Sequence, residues 1–430
     1  MFADRLQRLG TENAFKLADH IGRVEAGGRD VVRLNLGEPD FDAPTHIAAV
    51  GMEQIAAGNG HYGHPSGTPG LRRAIARQVS ETRGLDIDWR RVVVHPGGKP
   101  SIAYSLLSYV NPGDEVIYPS PGFPVYESWI TFLGAKPVPL KLRESAGFAV
   151  TADDLAALTG DRTRLIILNS PSNPTGSFID AAQLAATAQV IADRAPADAR
   201  IYSDEIYEKI IFDGLTHQSI ASQPGMAERT VIASGHSKTF AMTGWRLGYS
   251  VLPSREEAEV FKNLNINLIS CVPPFVQEAG REALESPESE TAVQKMVSAF
   301  DERRKIVVEG LNAIEGVSCV MPRGAFYVFP NVSGACQSLG AIEAFERLSP
   351  QQRARSSPST LLQMFALYRH GVATMDRPSF CRIGSEGEHY LRLSTAADID
   401  KLREGVARLA AATEDSAGFV EFVAEGVPGD

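Results

Sequence analysis

Between residues 91 and 235 the chain repeats one unit: a short apolar run, a loop rich in glycine, proline, serine or asparagine, then a helix-like stretch. The apolar runs fall at 91–94, 115–118, 164–168, 200–207 and 230–233. Strands this short and continuously apolar are buried on both faces. Strands alternating with helices build a parallel sheet with a helical layer on each side. The expected fold is therefore α/β. In such sheets ligands sit at the carboxyl ends of the strands, and the unusual loops here all fall there. They are 96–101 (Pro96-Gly97-Gly98-Lys99-Pro100-Ser101), 119–124, 169–176 and 234–238.

The flanks read differently. Residues 1–30 predict a polar arm with a helix at 14–25. Residues 31–36 alternate like a strand and stop at a turn-rich loop, 37–42. A helix at 46–57 precedes 60–70, which is too rich in glycine and proline for regular structure. An amphipathic helix follows at 71–83, and further helices are predicted from the 96–101 turn through 110, up to 133, at 180–192 and at 254–268. One long helix, 274–314, bridges to a smaller α+β domain with strands near 317–320, 325–329 and 390–394. Residues 331–360 form a Ser/Gln/Arg-rich insertion with no readable pattern, and the stretch past 414 is expected to be mobile. At 430 residues the chain has two to three domain lengths of about 150 each. The expected division is an arm and part of the small domain at 1–45, a large domain at 46–300, and a small C-terminal domain at 301–430.

Charge and cysteines exclude several function classes. The formal net charge is −10, from 42 basic and 52 acidic residues. With no long basic run, neither nucleic acid nor an anionic membrane is expected as a partner. The four cysteines, Cys271, Cys319, Cys336 and Cys381, lie far apart without a Cys-x-x-Cys pair. They fit reduced cytoplasmic thiols better than a disulfide frame or a zinc site. The N-terminus lacks a signal-peptide apolar stretch, and no apolar run is long enough to span a bilayer. The 9 histidines form no ligand cluster. His61 and His64 read as loop residues, so no metal is expected. No Gly-x-Ser-x-Gly elbow or dinucleotide glycine fingerprint appears.

The strand-end segment Ser234-Gly235-His236-Ser237-Lys238 is followed eight residues later by Arg246, beside Leu247-Gly248. A lysine framed by small residues at a strand's carboxyl end points its amine into a cavity where backbone approaches a ligand. Lys238 is thus placed to hold an aldehyde cofactor as a Schiff base. Read singly, each candidate has an ordinary alternative. Lys238 could be a solvated strand-end lysine, Asp204 a helix cap, Asn173 a turn former, Tyr207 and Phe123 core rings, and Arg392 a structural ion-pair partner.

Taken together, Tyr62, Asn173-Pro174-Thr175-Gly176, Asp204-x-x-Tyr207, Ser237-Lys238, Arg246 and Arg392 resemble the fold-type I, class I aminotransferases, which depend on pyridoxal 5′-phosphate (PLP). The resemblance runs from about residue 33 to 397. It implies a mainly parallel seven-stranded sheet in a three-layer αβα large domain, plus the smaller α+β domain. It further implies that Lys238 forms the Schiff base and moves the Cα proton. An ordinary lysine titrates near about 10.4, and burial with a nearby cation would lower that. Asp204 would face the pyridine nitrogen, while Asn173 and Tyr207 would meet the ring's 3′-oxygen. Phe123 would stack on the ring. The phosphate would meet Gly97, Gly98 and Lys99 at a helix start, with Ser237, Arg246, and Tyr62 from the neighbouring subunit of a homodimer. Arg392 would grip the substrate α-carboxylate bidentately, with Gly37 offering backbone nearby. Arg382 reads as a solvated residue. Gly235 departs from the pattern, since many relatives carry a phosphate-binding serine there.

The expected reaction is a ping-pong transfer of an amino group from an amino acid to 2-oxoglutarate or pyruvate, as in aspartate aminotransferases. Lys99 matches a lysine that in one branch meets a side-chain carboxylate. Residues 254–272 supply no arginine where the dicarboxylate enzymes bring one from the partner subunit. Glu12, near the pocket mouth, would repel a second carboxylate. Broad, aromatic or alanine specificity is the alternative within the class, and a PLP-dependent carbon–sulfur lyase the alternative outside it. A transcription regulator's sensor half would need more than the 30 residues before the first strand.

Overall fold

The structure, a computed structural model, describes residues 2–10 and 12–427. Its centre is a seven-stranded sheet. From edge to edge the strands are Val92–His95, Gly248–Val251, Thr230–Gly235, Arg200–Asp204, Thr163–Asn169, Glu115–Ser120 and Lys136–Lys141. Gly248–Val251 pairs antiparallel with both its neighbours, and the remaining pairs are parallel.

Alternation along the strands sends side chains into two apolar layers. Val116, Tyr118, Leu165, Ile167 and Val231 pack with Tyr104, Ile130 and Phe261 from the helices Lys99–Tyr109, Pro124–Phe132 and Arg255–Leu268. Ile117, Ile166, Leu168 and Ile201 face the other way, onto Leu155, Leu184 and Ile191 from Ala152–Leu158 and Ala181–Arg194. Local signals agree with these boundaries. Asp180 and Gln183 form a reciprocal capping box at the start of Ala181–Arg194. The helix Pro69–Arg83 starts with Thr68 as cap and Pro69 in its first turn, and ends at left-handed Gly84.

Two strands were not expected from the sequence. Lys136–Lys141 contains Pro137 and Pro139, which argue against a central strand. It lies at the edge of the sheet, and the prolines sit two apart, so their missing N–H groups both face away from the neighbour. Gly248–Val251 is a four-residue strand hidden behind the Lys238–Arg246 segment.

Other expectations are corrected. The single helix over 274–314 is two, Pro274–Glu285 and Pro287–Asn312. Ser286 takes an extended conformation (ψ 130) before Pro287, because proline crowds a helical residue ahead of it. The strand over 31–36 shortens to Val32–Arg33, which pairs parallel with Val372–Ala373. A strand at 317–320 is reduced to an isolated bridge, Ser318 to Asn331. Tyr327–Val328, Leu391–Ser394 and Met375–Asp376 form a three-stranded antiparallel sheet.

The unread 331–360 insertion folds as short helices, Ser333–Ser338, Ala341–Glu346 and Pro350–Arg353, leading into Pro358–His370. The stretch past 414 is not a mobile tail over 416–425: it is the helix Ser416–Glu425, and positions 428–430 lie outside the described residues. Phe419 and Phe422 are buried against Phe365, with ring centres 5.3 and 5.6 Å apart. Among the described residues no helix is long and apolar enough to cross a membrane.

Phe422→Ala should lower the unfolding free energy by about 3–5 kcal/mol, read as a shift in the urea midpoint. An unshifted midpoint would mean that this helix is not packed on the body of the protein.

Candidate active site

The carboxyl ends of the strands open on a cavity of about 520 Å³. Lys238 reaches it from a single helical turn, His236–Thr239, directly after the strand Thr230–Gly235. Its Nζ donates to the Gly37 carbonyl at 2.6 Å and lies 5.8 Å from the centre of the Phe326 ring. Burial lowers its pKa to about 8. The carboxylates of Glu38 and Glu12 oppose that shift, while Arg392 and Arg246 add to it.

Asp204 ends the adjacent strand. Its Oδ2 accepts from the Tyr126 hydroxyl at 2.6 Å and its Oδ1 from the Ile206 N–H at 3.3 Å. Burial pushes its pKa up to about 6. The Tyr126 and Ile206 hydrogen bonds resist, and neighbouring Glu205 adds to the rise. Lys238 and Asp204 line the same cavity.

Tyr207 and Asn173 also line it, with Phe123 on the wall. The Tyr207 and Tyr327 hydroxyls share a hydrogen bond of 2.7 Å. Burial, then Tyr327, drives the Tyr207 pKa well above the usual tyrosine value. Asn173 is fixed through its N–H, which donates to Asn169 Oδ1 at 2.9 Å. Its own Oδ1 accepts from Arg392 Nη1 at 3.4 Å.

Arg392, on the strand Leu391–Ser394, is buried without a carboxylate partner among the described residues. Its Nη2 donates to the Asn35 carbonyl, and its guanidinium lies 4.7 and 4.9 Å from the ring centres of Tyr327 and Phe380. Its Nε, like Asn35 Oδ1, has no hydrogen-bond partner among the described residues. A buried cation with an unmade hydrogen bond is costly and suits an anionic ligand.

A second cationic end is built around Gly97 and Arg246. His95, at its strand's end, holds the turn through Nδ1–H, which donates to the Gly97 carbonyl at 2.6 Å. Gly97 has φ +79, and a Cβ there would run into the Arg246 guanidinium. Arg246 Nη1 donates to the Thr243 carbonyl at 2.6 Å. Gly98, Ser237 and Arg246 line the cavity where the helix Lys99–Tyr109 begins. Oriented backbone N–H groups and a guanidinium at one point suit a phosphate-like anion.

Some expected residues are placed otherwise. The Lys99 ammonium is paired with Glu12. The Gly37 carbonyl is engaged by Lys238, and a Cβ on Gly37 would meet the Tyr327 hydroxyl. Tyr62 is 89% exposed and lies outside the cavity of its own chain. At Gly235 a Cβ would come 2.9 Å from the Leu247 carbonyl, which disfavours a serine there. Arg382 is exposed. His64 Nδ1 accepts from the Ser66 N–H at 3.1 Å. Among the described residues no group of three or more His, Cys, Asp or Glu could hold a metal ion.

Sequence reasoning missed Tyr126, Tyr327, Asn35 and Glu38. Tyr126 follows Phe123 by three positions, and Tyr327 sits in the predicted strand 325–329. Neither carried a signal separating it from a core ring.

The family model for aminotransferase class I and II matches residues 29–409. The chain is 35% identical over 408 residues to aspartate aminotransferase from Pyrococcus abyssi, covering 95% of this chain and 97% of that protein. It is 32% identical to aromatic-amino-acid aminotransferase 2 of Thermococcus litoralis, with 95% and 97% covered. The crystal structure of aspartate aminotransferase from Rhizobium meliloti superposes with a TM-score of 0.85 at 31% identity, covering 96% of this chain and 99% of that one.

A carboxyl whose folded pKa is raised from 3.8 to about 6 binds a proton in the folded state, between those values, that the unfolded chain releases. Its burial therefore destabilises the ligand-free protein increasingly across that window and fully above it, by up to about 3 kcal/mol. Asp204→Asn should raise the thermal midpoint of ligand-free protein at pH 8, and the gain should vanish below about pH 4. A gain that persists at low pH would mean that the carboxylate charge is not its origin.

Proposed function

The chain belongs to the aminotransferase class I and II family and is a transaminase, and we propose that it works with PLP held between Lys238 and Asp204. The observation that carries this reading is one cavity lined by a depressed amine and an elevated carboxyl. The donor set supports the fit. A carboxylate braced by Tyr126 suits a ring nitrogen, Phe123 supplies a wall, and Gly98, Ser237 and Arg246 suit a phosphate.

When bound, the cofactor supplies an electron-accepting ring that stabilises negative charge at the substrate Cα. Lys238 would hold the cofactor through its aldehyde. The Lys238 amine, with a pKa near 8, would be the base that holds and moves the substrate Cα proton. Asp204 would face the ring nitrogen and favour its protonated form, and the Tyr126 hydroxyl, which donates to Asp204 Oδ2, keeps the carboxyl aimed. Asn173 and Tyr207, on the same cavity wall, would meet the ring's oxygen. Arg392 would clamp the substrate α-carboxylate with its fork, to which its Nε, without a hydrogen-bond partner among the described residues, can donate.

The amino group passes from an amino acid to 2-oxoglutarate or pyruvate in two half-reactions. The active form is a homodimer in which Tyr62, exposed on its own chain, reaches the neighbour's phosphate site. The division into a large domain, 46–300, and a smaller one from 1–45 and 301–430 belongs to the same reading, as does a cytoplasmic location suited to four free cysteines. The apolar Phe15 and Leu36 at the mouth favour a donor range that extends to apolar and aromatic amino acids.

Lys238→Ala should lower kcat by on the order of 10⁴-fold and remove the yellow, borohydride-sensitive absorbance of the wild type. Wild-type kinetics should give parallel double-reciprocal lines. A colourless wild type without amino transfer would sink the reading. Arg392→Lys should lower kcat/KM by roughly 10- to 100-fold through loss of the bidentate contact, and an unchanged value would place the α-carboxylate elsewhere.

A further inference from the structure

Glu12 stands one residue before the helix Asn13–Ala26, and its side chain makes no cap bond to that helix. The carboxylate pairs instead with the Lys99 ammonium, and both residues line the cavity. Lys99 Nζ also lies 5.7 Å from the centre of the Phe15 ring. The segment carrying Glu12 is tied down on both sides. Ser128 Oγ donates to the Gly10 carbonyl at 3.2 Å, and Asn13 Nδ2 donates to Ser379 Oγ at 3.0 Å. The Glu12 charge also reaches inward, favouring the cationic forms of Lys238 and Arg392.

The two ends of the substrate space therefore differ. At Arg392 a buried guanidinium has no carboxylate counter-ion among the described residues. At Lys99 a cation already has one. Phe15 lies against the Lys99 ammonium, and Leu36 and Ile102 add further apolar side chains to the cavity lining.

We propose that Glu12 is a specificity-determining residue: it occupies the cation that would otherwise read a second carboxylate on the substrate side chain. The transaminase is thereby biased toward amino donors with uncharged apolar or aromatic side chains. This rests on the reading above, with Arg392 at the α-carboxylate. A dicarboxylic substrate binds only by displacing Glu12 from Lys99 or by crowding two carboxylates onto one ammonium. An apolar side chain leaves the pair intact and covers Phe15 and Leu36. The competition raises KM for aspartate, glutamate and 2-oxoglutarate without excluding them.

The test uses the PLP-loaded wild type, Glu12→Gln, Lys99→Met and the double variant. One readout is the ratio of kcat/KM for aspartate to that for phenylalanine. The other is calorimetric binding of succinate against 3-phenylpropanoate, which needs no turnover. Glu12→Gln should raise the kcat/KM ratio tenfold or more and tighten succinate relative to 3-phenylpropanoate by a similar factor. Neither gain should appear in the Lys99→Met background. An unchanged ratio in an enzyme that still transaminates, or an equal gain without Lys99, overturns the role of Glu12 and leaves the transaminase reading standing. A Lys99-dependent gain in succinate binding, in protein that turns over no amino acid, supports the Glu12–Lys99 competition and sinks the catalytic reading.

Discussion

Burying an amine and a carboxyl in one cavity, without letting them neutralise each other, is the constraint on which the rest of this molecule depends. Low dielectric pushes both toward their uncharged forms, and the pKa values move that way: Lys238 down, Asp204 up. Each is held by neutral or weak partners, a carbonyl for the amine and a tyrosine hydroxyl for the carboxyl. Arg392 repeats the pattern, with carbonyls and rings around a cation and one N–H unmade among the described residues. Charges left so nearly unpaired destabilise the ligand-free fold, and a ligand carrying the complementary groups relieves that cost. The same arrangement makes the amine a usable base near neutral pH.

The sheet supplies the positions. Asp204 is in register with Asn169 on one side and Ala233 on the other, so the loops bearing Asn173, Tyr207 and Lys238 leave from adjacent strand ends. The other wall comes from residues remote in sequence. Gly37 meets Lys238 across 201 positions, and Asn35 meets Arg392 across 357. The parallel pairing of Val32–Arg33 with Val372–Ala373, and the Ser394 N–H donating to the Leu34 carbonyl at 2.8 Å, tie the 35–37 stretch to the strand that carries Arg392.

What the sequence made legible follows from this division. Apolar strands and punctuating glycines and prolines are local, so the α/β class, the strand ends and the placement of Lys238 could be read from them, whereas Asp204, Asn173 and Arg392, which line the same cavity, were singled out only by the family resemblance. Lys136–Lys141 escaped because two prolines count against a strand unless its edge position is known. Knowing that requires the pairing pattern, not the local residues. The break at Ser286 was legible in Pro287 but masked by helical periodicity on both sides. The partners that tune the site, Tyr126 for Asp204 and Tyr327 for Tyr207, were illegible. A tyrosine whose hydroxyl meets a carboxyl 78 positions away looks, in sequence, like any core ring. The Glu12–Lys99 pair was half visible: the charges were noted, but not that one cancels the other.

The glycines of the cationic end show how tightly fold and site are joined. Gly248 is paired with both His95 and Gly235 across the antiparallel strand. A Cβ on Gly248 would lie 2.6 Å from the Gly97 carbonyl carbon, and one on Gly235 would lie 3.0 Å from Gly248 Cα. These are backbone obstacles that no rotamer change relieves. The three glycines therefore stack at the strand ends so that the turn before Lys99, the Lys238 turn and Arg246 can close on one point. Placing Gly248–Val251 between Val92–His95 and Thr230–Gly235 brings the backbones this close, and its antiparallel direction starts the strand, just after Arg246, at their carboxyl ends. A parallel strand in that place would begin at the opposite edge of the sheet, and Arg246 would lie a strand's length from the helix start it now faces.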